Sequence, residues 1–104
     1  MYRAALLLVA TLALVVAARA QSAGPPKLDI AGACRDAAAQ HDPATRTNII
    51  KTCVDSENKA RKELDAKWSR TDPAIRAACV GSSAIGSVKP VYSELISCIE
   101  MKSQ

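Results

Sequence analysis

The hydrophobic residues of this 104-residue chain change their pattern after the first twenty positions. Residues 1–20 are almost continuously apolar, with Arg3 near the start and Ala18-Arg19-Ala20 at the end. A helix over the 15-residue apolar stretch from Ala4 to Ala18 would span roughly 22 Å, which is shorter than the ~30 Å hydrocarbon core of a membrane. Residues 1–20 are therefore predicted to be a signal peptide that is cleaved before Gln21. We expect a periplasmic or secreted protein with no permanent membrane anchor after cleavage.

Beyond residue 20 the apolar residues recur at helical spacing, and no segment alternates apolar and polar residues for long enough to form a strand. Residues 21–28, which include Gly24-Pro25-Pro26, have little to bury and are predicted to be a flexible lead. Residues 29–104 are predicted to form a single helical domain, because so short a chain can build only one thin core.

Asp-Pro pairs and N-cap residues indicate where the first two helices begin. Asp29 is a suitable N-cap for the first helix. Asp42-Pro43 ends that helix and starts a long one, predicted from Ala44 to about Arg70. Proline restricts the residue before it and favours the first position of a helix, so the pair is expected to serve as both a stop and a start.

The same device predicts the third helix, which starts at Asp72-Pro73 and is expected to end at Gly81, a typical C-cap residue. Residues 82–89 are predicted to be a loop, and Pro90 is predicted to open a C-terminal helix with a broad apolar face. That face is interpreted as core, with a partner interface as the alternative. The predicted fold class is all-α, a compact array of about four helices: two short, one long and one C-terminal.

Disulfides are expected to hold this array together, since small exported domains usually depend on them. The cysteines are Cys34, Cys53, Cys79 and Cys98. Three pairings are possible, and spacing alone does not choose among them. Cys34 and Cys53 lie at similar heights around the first turn, whereas Cys53 and Cys79 would differ by roughly 20 Å along an unbroken long helix. This favours Cys34–Cys53 and Cys79–Cys98. A break in the long helix near Asn48 or Glu57 would instead allow the nested pairing of Cys34–Cys98 with Cys53–Cys79.

The charge distribution argues against one class of partner. Loss of Arg3 and Arg19 with the signal peptide would reduce the formal charge from +4 to +2. Basic and acidic residues are interleaved over residues 57–63, which is typical of a solvated helix face. Because nucleic-acid binding requires a segregated basic patch, we expect no nucleic-acid partner, while an unknown protein partner is compatible with this surface.

Candidate catalytic and metal-binding groups are few. His41 stands beside Asp42, but the chain has no Gly-x-Ser-x-Gly motif, and a histidine at a helix end is expected to cap carbonyl groups there. The cysteines are far apart in sequence, unlike the close pairs of structural zinc sites or the C-x-x-C motif of redox enzymes. We therefore expect no enzyme activity, no cofactor and no metal.

Three residues are candidates for an interaction surface: Arg61, Trp68 and Tyr92. Each has a structural interpretation as well. Trp68 is expected to supply core mass, because the chain has one tryptophan and no phenylalanine. Arg61 is expected to pair with Glu57 one turn earlier, and Tyr92 is expected to pack its ring with the hydroxyl at the surface.

Two stretches resemble a family of small exported proteins of Gram-negative bacteria that has no assigned function. They are Cys53…Glu57…Ala60-Arg61…Leu64…Trp68, with Cys79 following, and Pro90-Val91-Tyr92-Ser93-Glu94-Leu95-Ile96-Ser97-Cys98-Ile99-Glu100-Met101. The resemblance covers residues 53–101 and implies export and a helical disulfide fold. The chain departs from the family at Lys89-Pro90-Val91, where members usually have small hydroxyl residues, so the sequence does not indicate how the last helix is capped.

Without a catalytic or cofactor motif, the sequence favours a non-enzymatic exported protein that acts as a binding or structural factor of the bacterial envelope. The alternative is an inhibitor or modulator of an envelope enzyme that contacts its target through the loop at residues 82–89. In both cases the protein would act through its surface.

Overall fold

A computed structural model describes residues 24–83, 86 and 88–104 of the chain. The expected signal peptide and its cleavage point lie outside the described residues. Those residues contain four helices and no strand, and two disulfides join the helices. The helices are α1 (Ile30–Ala38), α2 (Pro43–Trp68), α3 (Pro73–Ser83) and α4 (Tyr92–Lys102). The prediction of an all-α fold is confirmed.

The first three helices begin at the aspartates that the sequence indicated. The Asp29 carboxylate accepts a hydrogen bond from the Gly32 N–H at 3.0 Å. The Asp42 carboxylate accepts bonds from the N–H and the hydroxyl of Thr45, and the Asp72 carboxylate accepts one from the Ala74 N–H at 2.8 Å. Each aspartate thus satisfies an N–H group of the first turn that has no partner inside its own helix.

Two predicted boundaries are wrong. Gly81 does not end α3, which continues to Ser83. Gly81 keeps a negative φ, and among the described glycines only Gly86, in the following loop, has a positive one, of 94°. The hydroxyls of Ser82 and Ser83 donate to carbonyl groups of the preceding turn and so complete the helix end. The last helix begins at Tyr92 rather than at Pro90.

Both disulfides have the pairing that helix geometry favoured. Cys34 bonds to Cys53 and Cys79 to Cys98, each across a Cα–Cα distance of 5.7 Å. The long helix α2 is continuous through its middle, so the break that would have allowed the nested pairing is absent. The chain therefore forms two disulfide-linked helix pairs, the first hairpin (α1 and α2) and the second hairpin (α3 and α4).

The core lies where the C-terminal half of α2 packs against α4. Trp68 is 8% exposed, which supports its interpretation as core mass. The Arg76 guanidinium lies over the Trp68 ring, 5.5 Å from the ring centroid, and forms a cation–π contact. The most deeply buried large side chains are Leu64 and Leu95, one from each hairpin. Apolar contacts therefore hold the two hairpins together, while a disulfide links the two helices within each hairpin.

The last residues of the expected flexible lead, from Pro26 to Leu28, contact the helical domain. Leu28 packs against the core, and its N–H donates to the Tyr92 hydroxyl at 3.1 Å. The same hydroxyl donates to the Pro26 carbonyl at 3.0 Å. These contacts were not predicted from the sequence. None of the described helices combines the length and apolar character needed to cross a membrane.

Candidate binding groove at the junction of the two hairpins

The three candidate interaction residues do not form one surface. Trp68 and Tyr92 are buried in the core, whereas Arg61 is exposed on α2. Tyr92 is 4% exposed, and its hydroxyl is held between Pro26 and Leu28, so the expectation of a surface hydroxyl is wrong. The N-terminal lead lies over the hydroxyl and supplies the backbone partners that a buried phenol requires.

The predicted ion pair between Glu57 and Arg61 is also wrong. Glu57 is 6% exposed and lies on the buried side of α2. Its carboxylate accepts a hydrogen bond from the Ser93 N–H at 3.2 Å and one from the Ser93 hydroxyl at 2.6 Å. Two hydrogen bonds in a part-buried position satisfy this carboxylate better than an exposed pair with Arg61 would.

Glu57 therefore caps a helix to which it does not belong. Val91 occupies the N-cap position of α4 and has no side-chain acceptor. Ser93 lies in the first turn of α4, where N–H groups need a partner from outside the helix. The Glu57 carboxylate provides that partner, and its negative charge is favourable at a helix N-terminus.

A groove of about 490 Å³ opens beside this cap, at the junction of the two hairpins. We call it the junction groove. It is lined by Ala33, Asp36, Ala37, Cys53, Glu57, Val88, Lys89, Val91 and Glu94. Small and apolar side chains of both hairpins form most of its surface. The lining thus comes from α1, α2, the start of α4 and residues 88, 89 and 91, which precede α4.

Charged groups stand around the junction groove. The Lys89 ammonium group pairs with the Asp29 carboxylate at 3.0 Å. The hydrogen bond from the Gly32 N–H, together with Lys89, holds the pKa of Asp29 below its ordinary value. Asp36 and Glu94 are exposed, and neither forms an ion pair with another described residue. The groove therefore has an excess of negative charge.

A second link between the hairpins lies at the C-terminal end of α2. The Lys67 ammonium group contacts the Glu63 carboxylate at 3.0 Å and the Glu100 carboxylate of α4 at 3.3 Å. The hydrogen bond to Glu63, followed by that to Glu100, raises the pKa of Lys67. Since all three side chains are partly exposed, solvent weakens this link relative to the Glu57 cap.

Few reactive side chains meet at the junction groove in the described part of the chain. Ser93 donates to Glu57, but no histidine joins them, and His41 lies exposed at the turn between α1 and α2. At that turn the Arg46 guanidinium, not the His41 side chain, donates to the carbonyl groups of Ala39 and His41. All four cysteines are oxidised, and within residues 24–83, 86 and 88–104 no three acidic, histidine or cysteine side chains cluster as a metal site.

The residues that define the groove were mostly missed by sequence reasoning. Asp36, Lys89 and Glu94 were not candidates, and Glu57 was assigned the wrong partner. One signal was present in the sequence, because Lys89-Pro90-Val91 offers no Ser, Thr, Asp or Asn side chain to cap the last helix, and the missing acceptor must come from elsewhere. Comparison of the chain with protein-family models, curated proteins and solved structures found no match.

Proposed function

We propose that this protein has no catalytic activity and acts as a binding or structural factor of the bacterial envelope, with the junction groove as its contact site. The observation that carries the proposal is the groove itself. Its volume of about 490 Å³ lies within the ~300–1,000 Å³ typical of binding sites, and its surface combines apolar side chains with a few charged ones. A disulfide and the Glu57 cap border it and favour a preformed shape.

The state of the reactive side chains supports a role without catalysis. The cysteines are oxidised, the Glu57 carboxylate is used by Ser93, and the Tyr92 hydroxyl is used by Leu28 and Pro26. A nucleophile, a base and an orienting group would have to converge for hydrolysis, and in the described part of the chain they do not.

The envelope location is supported by two features. Two disulfides suggest an oxidising compartment outside the cytoplasm. Residues 1–20 have the composition of a signal peptide. A periplasmic or secreted location follows from the two together as part of this proposal.

An inhibitor or modulator of an envelope enzyme is the second candidate. Val88 favours it, because this residue of the 82–89 segment is 77% exposed at the edge of the junction groove. An exposed apolar side chain next to a concave surface is a suitable anchor for a protein target.

Site-specific cross-linking tests the proposal. A photoreactive amino acid replaces Val88 in one variant and Lys62 in another. Both positions are exposed, but Lys62 does not line the groove. After irradiation in cells that export the protein, we expect one defined adduct from position 88 and none from position 62. Adducts from both positions in equal yield, or none from either, would contradict the assignment of the groove as the contact site.

The identity of the adduct then separates the two candidates. A single enzyme cross-linked from position 88, whose activity changes when the purified protein is added, would identify a modulator. A non-enzymatic envelope protein would identify a binding or structural factor.

A further inference from the structure

We propose that the occupant of the junction groove is an extended peptide segment of a partner protein in which apolar side chains alternate with lysine or arginine. This inference rests on the proposed function and names the chemistry of the partner. Three features of the groove carry it: its charge, the position of Asp36, and the main-chain groups of Val88, Lys89 and Val91 along one edge.

The charge of the groove is opposite to that of the chain as a whole. The full chain has a formal charge of +4, and the chain without residues 1–20 would have +2. In the groove, Lys89 is neutralised by Asp29, while the exposed carboxylates of Asp36 and Glu94 have no ion-pair partner among the described residues. Asp36 stands on α1 and Glu94 on α4, so a cationic occupant can reach carboxylates of both hairpins.

Asp36 occupies a position that is unfavourable for its own helix. It lies in the last turn of α1, where the partial negative charge of the helix end repels a carboxylate. No hydrogen bond to the Asp36 side chain from another described residue compensates for this repulsion. A carboxylate in such a place does not stabilise the fold, which is consistent with a role in binding.

The edge of the groove is suited to a peptide backbone. Val91 has φ −129° and ψ 155°, an extended conformation, and it lines the groove together with Val88 and Lys89. The N–H groups of Val88 and Lys89 donate to no acceptor in the described part of the chain. These main-chain groups lie beside the extended Val91 and can bond to an extended peptide in the manner of strand addition.

The lining then determines the side-chain pattern of that peptide. In an extended chain alternate side chains point to the same side, about 6.6 Å apart. Side chains that point into the groove meet Ala33, Ala37 and Val91 and are therefore expected to be apolar. Those between them point toward the rim, where a lysine or arginine can extend its charge to Asp36 or Glu94.

Fluorescence anisotropy of labelled octapeptides tests the proposal with the oxidised protein expressed from the full chain. The probe alternates lysine and leucine. One control peptide alternates glutamate and leucine, and another alternates lysine and serine. We expect saturable binding of the lysine–leucine peptide and binding at least about tenfold weaker for both controls, because each removes one of the two complementary features. Equal binding of the three peptides would overturn the proposal.

Matched variants locate the binding. Asp36→Asn removes a groove carboxylate, and Asp65→Asn removes an exposed carboxylate of α2 outside the groove. We expect Asp36→Asn to weaken binding of the lysine–leucine peptide about fivefold and Asp65→Asn to leave the affinity for that peptide unchanged. Asp36→Asn is also expected to leave the melting temperature unchanged or slightly raised, whereas a structural residue would lower it. Equal effects of both variants on affinity would assign the binding to overall charge and contradict the proposal.

The outcomes of the two experiments separate the inference from the proposed function. If none of the peptides binds but a defined partner is cross-linked at position 88, the peptide chemistry is wrong and the groove remains the contact site. If neither peptide binding nor a cross-link is observed, both proposals are wrong.

Discussion

α2 and α4 begin in different ways, although each is the second helix of a disulfide-linked hairpin. α2 follows Asp42, whose carboxylate accepts hydrogen bonds from Thr45 within the same turn. α4 follows Val91, which has no acceptor, and the Glu57 carboxylate of another helix bonds to Ser93 instead. The start of α2 is therefore determined by neighbouring residues, whereas the start of α4 depends on the packing of the two hairpins. The comparison indicates that the first hairpin is locally determined and that the second is positioned by the first.

The largest expected effect is that of reduction. Each disulfide closes a loop of the same length, with a sequence separation of 19, so the chain-entropy model assigns each about 3 kcal/mol. With so thin a core, loss of both is expected to unfold the protein. Circular dichroism melts with and without reductant should differ widely, and superimposable melts would show that the disulfides are dispensable.

Removing one disulfide at a time compares the stability of the two hairpins directly. Because the loops are equal, replacing Cys34 and Cys53 by alanine should raise the entropy of the unfolded chain as much as replacing Cys79 and Cys98 does. Any difference in their denaturation midpoints therefore reports the native state. We expect the second pair to be the more costly, since its hairpin has no local cap at the start of α4. A larger loss from the first pair would reverse the order that the comparison predicts.

Removal of the Glu57 carboxylate has the next largest expected effect. Glu57→Ala leaves the Ser93 N–H without its acceptor in a part-buried site and should lower the free energy of unfolding by about 2 kcal/mol. Glu57→Gln keeps one acceptor oxygen and should lose less. Arg61→Ala is the matched control and should change stability by less than about 0.5 kcal/mol, because Arg61 has no ion pair in the described structure. Urea denaturation measures the free energy of unfolding of all three variants. Equal losses of stability for Glu57→Ala and Arg61→Ala would support the ion pair predicted from the sequence.

Substitution of alanine for Gly81 and for Gly32 is expected to change the stability of the protein in opposite directions. Gly81 lies inside α3 with a negative φ and no atom within 4 Å of an added Cβ, so Gly81→Ala should stabilise by about 1 kcal/mol. At Gly32 the added Cβ would meet the Asp29 carboxylate and lie 2.6 Å from the Lys89 Nζ atom. Displacing that carboxylate breaks the α1 cap, and we expect a net loss of up to about 1 kcal/mol. Thermal melts of the two variants test both signs, and a loss at Gly81 would indicate a C-cap there after all.

The smallest expected effect is that of acid on the local cap of α2. The hydroxyl and N–H of Thr45 lower the pKa of Asp42 below its ordinary value of 3.8. A lowered folded-state pKa means that the contribution of Asp42 is present above pH 3.8 and is lost as the pH falls through the folded-state pKa. The melting-temperature difference between wild type and Asp42→Asn should therefore shrink toward pH ~2. A difference that is constant with pH would contradict the ionised cap.

The features that could be predicted from the sequence are those determined within a few residues or by helix geometry. Asp42-Pro43 marks a helix start by itself, and the heights of Cys34 and Cys53 around it indicate their pairing. The contacts of Glu57 with Ser93 and of Tyr92 with Leu28 join residues 36 and 64 positions apart. Local rules assign Glu57 to Arg61, the opposite charge one helical turn away, because they contain no information on which face of α2 the second hairpin covers. The groove was missed for the same reason.

Hydrogen exchange of the Ser93 amide tests most directly whether α4 is capped from across the junction. First-turn amides of a helix have no acceptor within the helix, so protection of the Ser93 N–H must come from Glu57. By NMR we expect Ser93 to be protected in the wild type, to lose that protection in Glu57→Ala, and to keep it in Asp42→Ala, where only the Thr45 amide should exchange faster. A Ser93 amide that stays protected in folded Glu57→Ala would contradict the account.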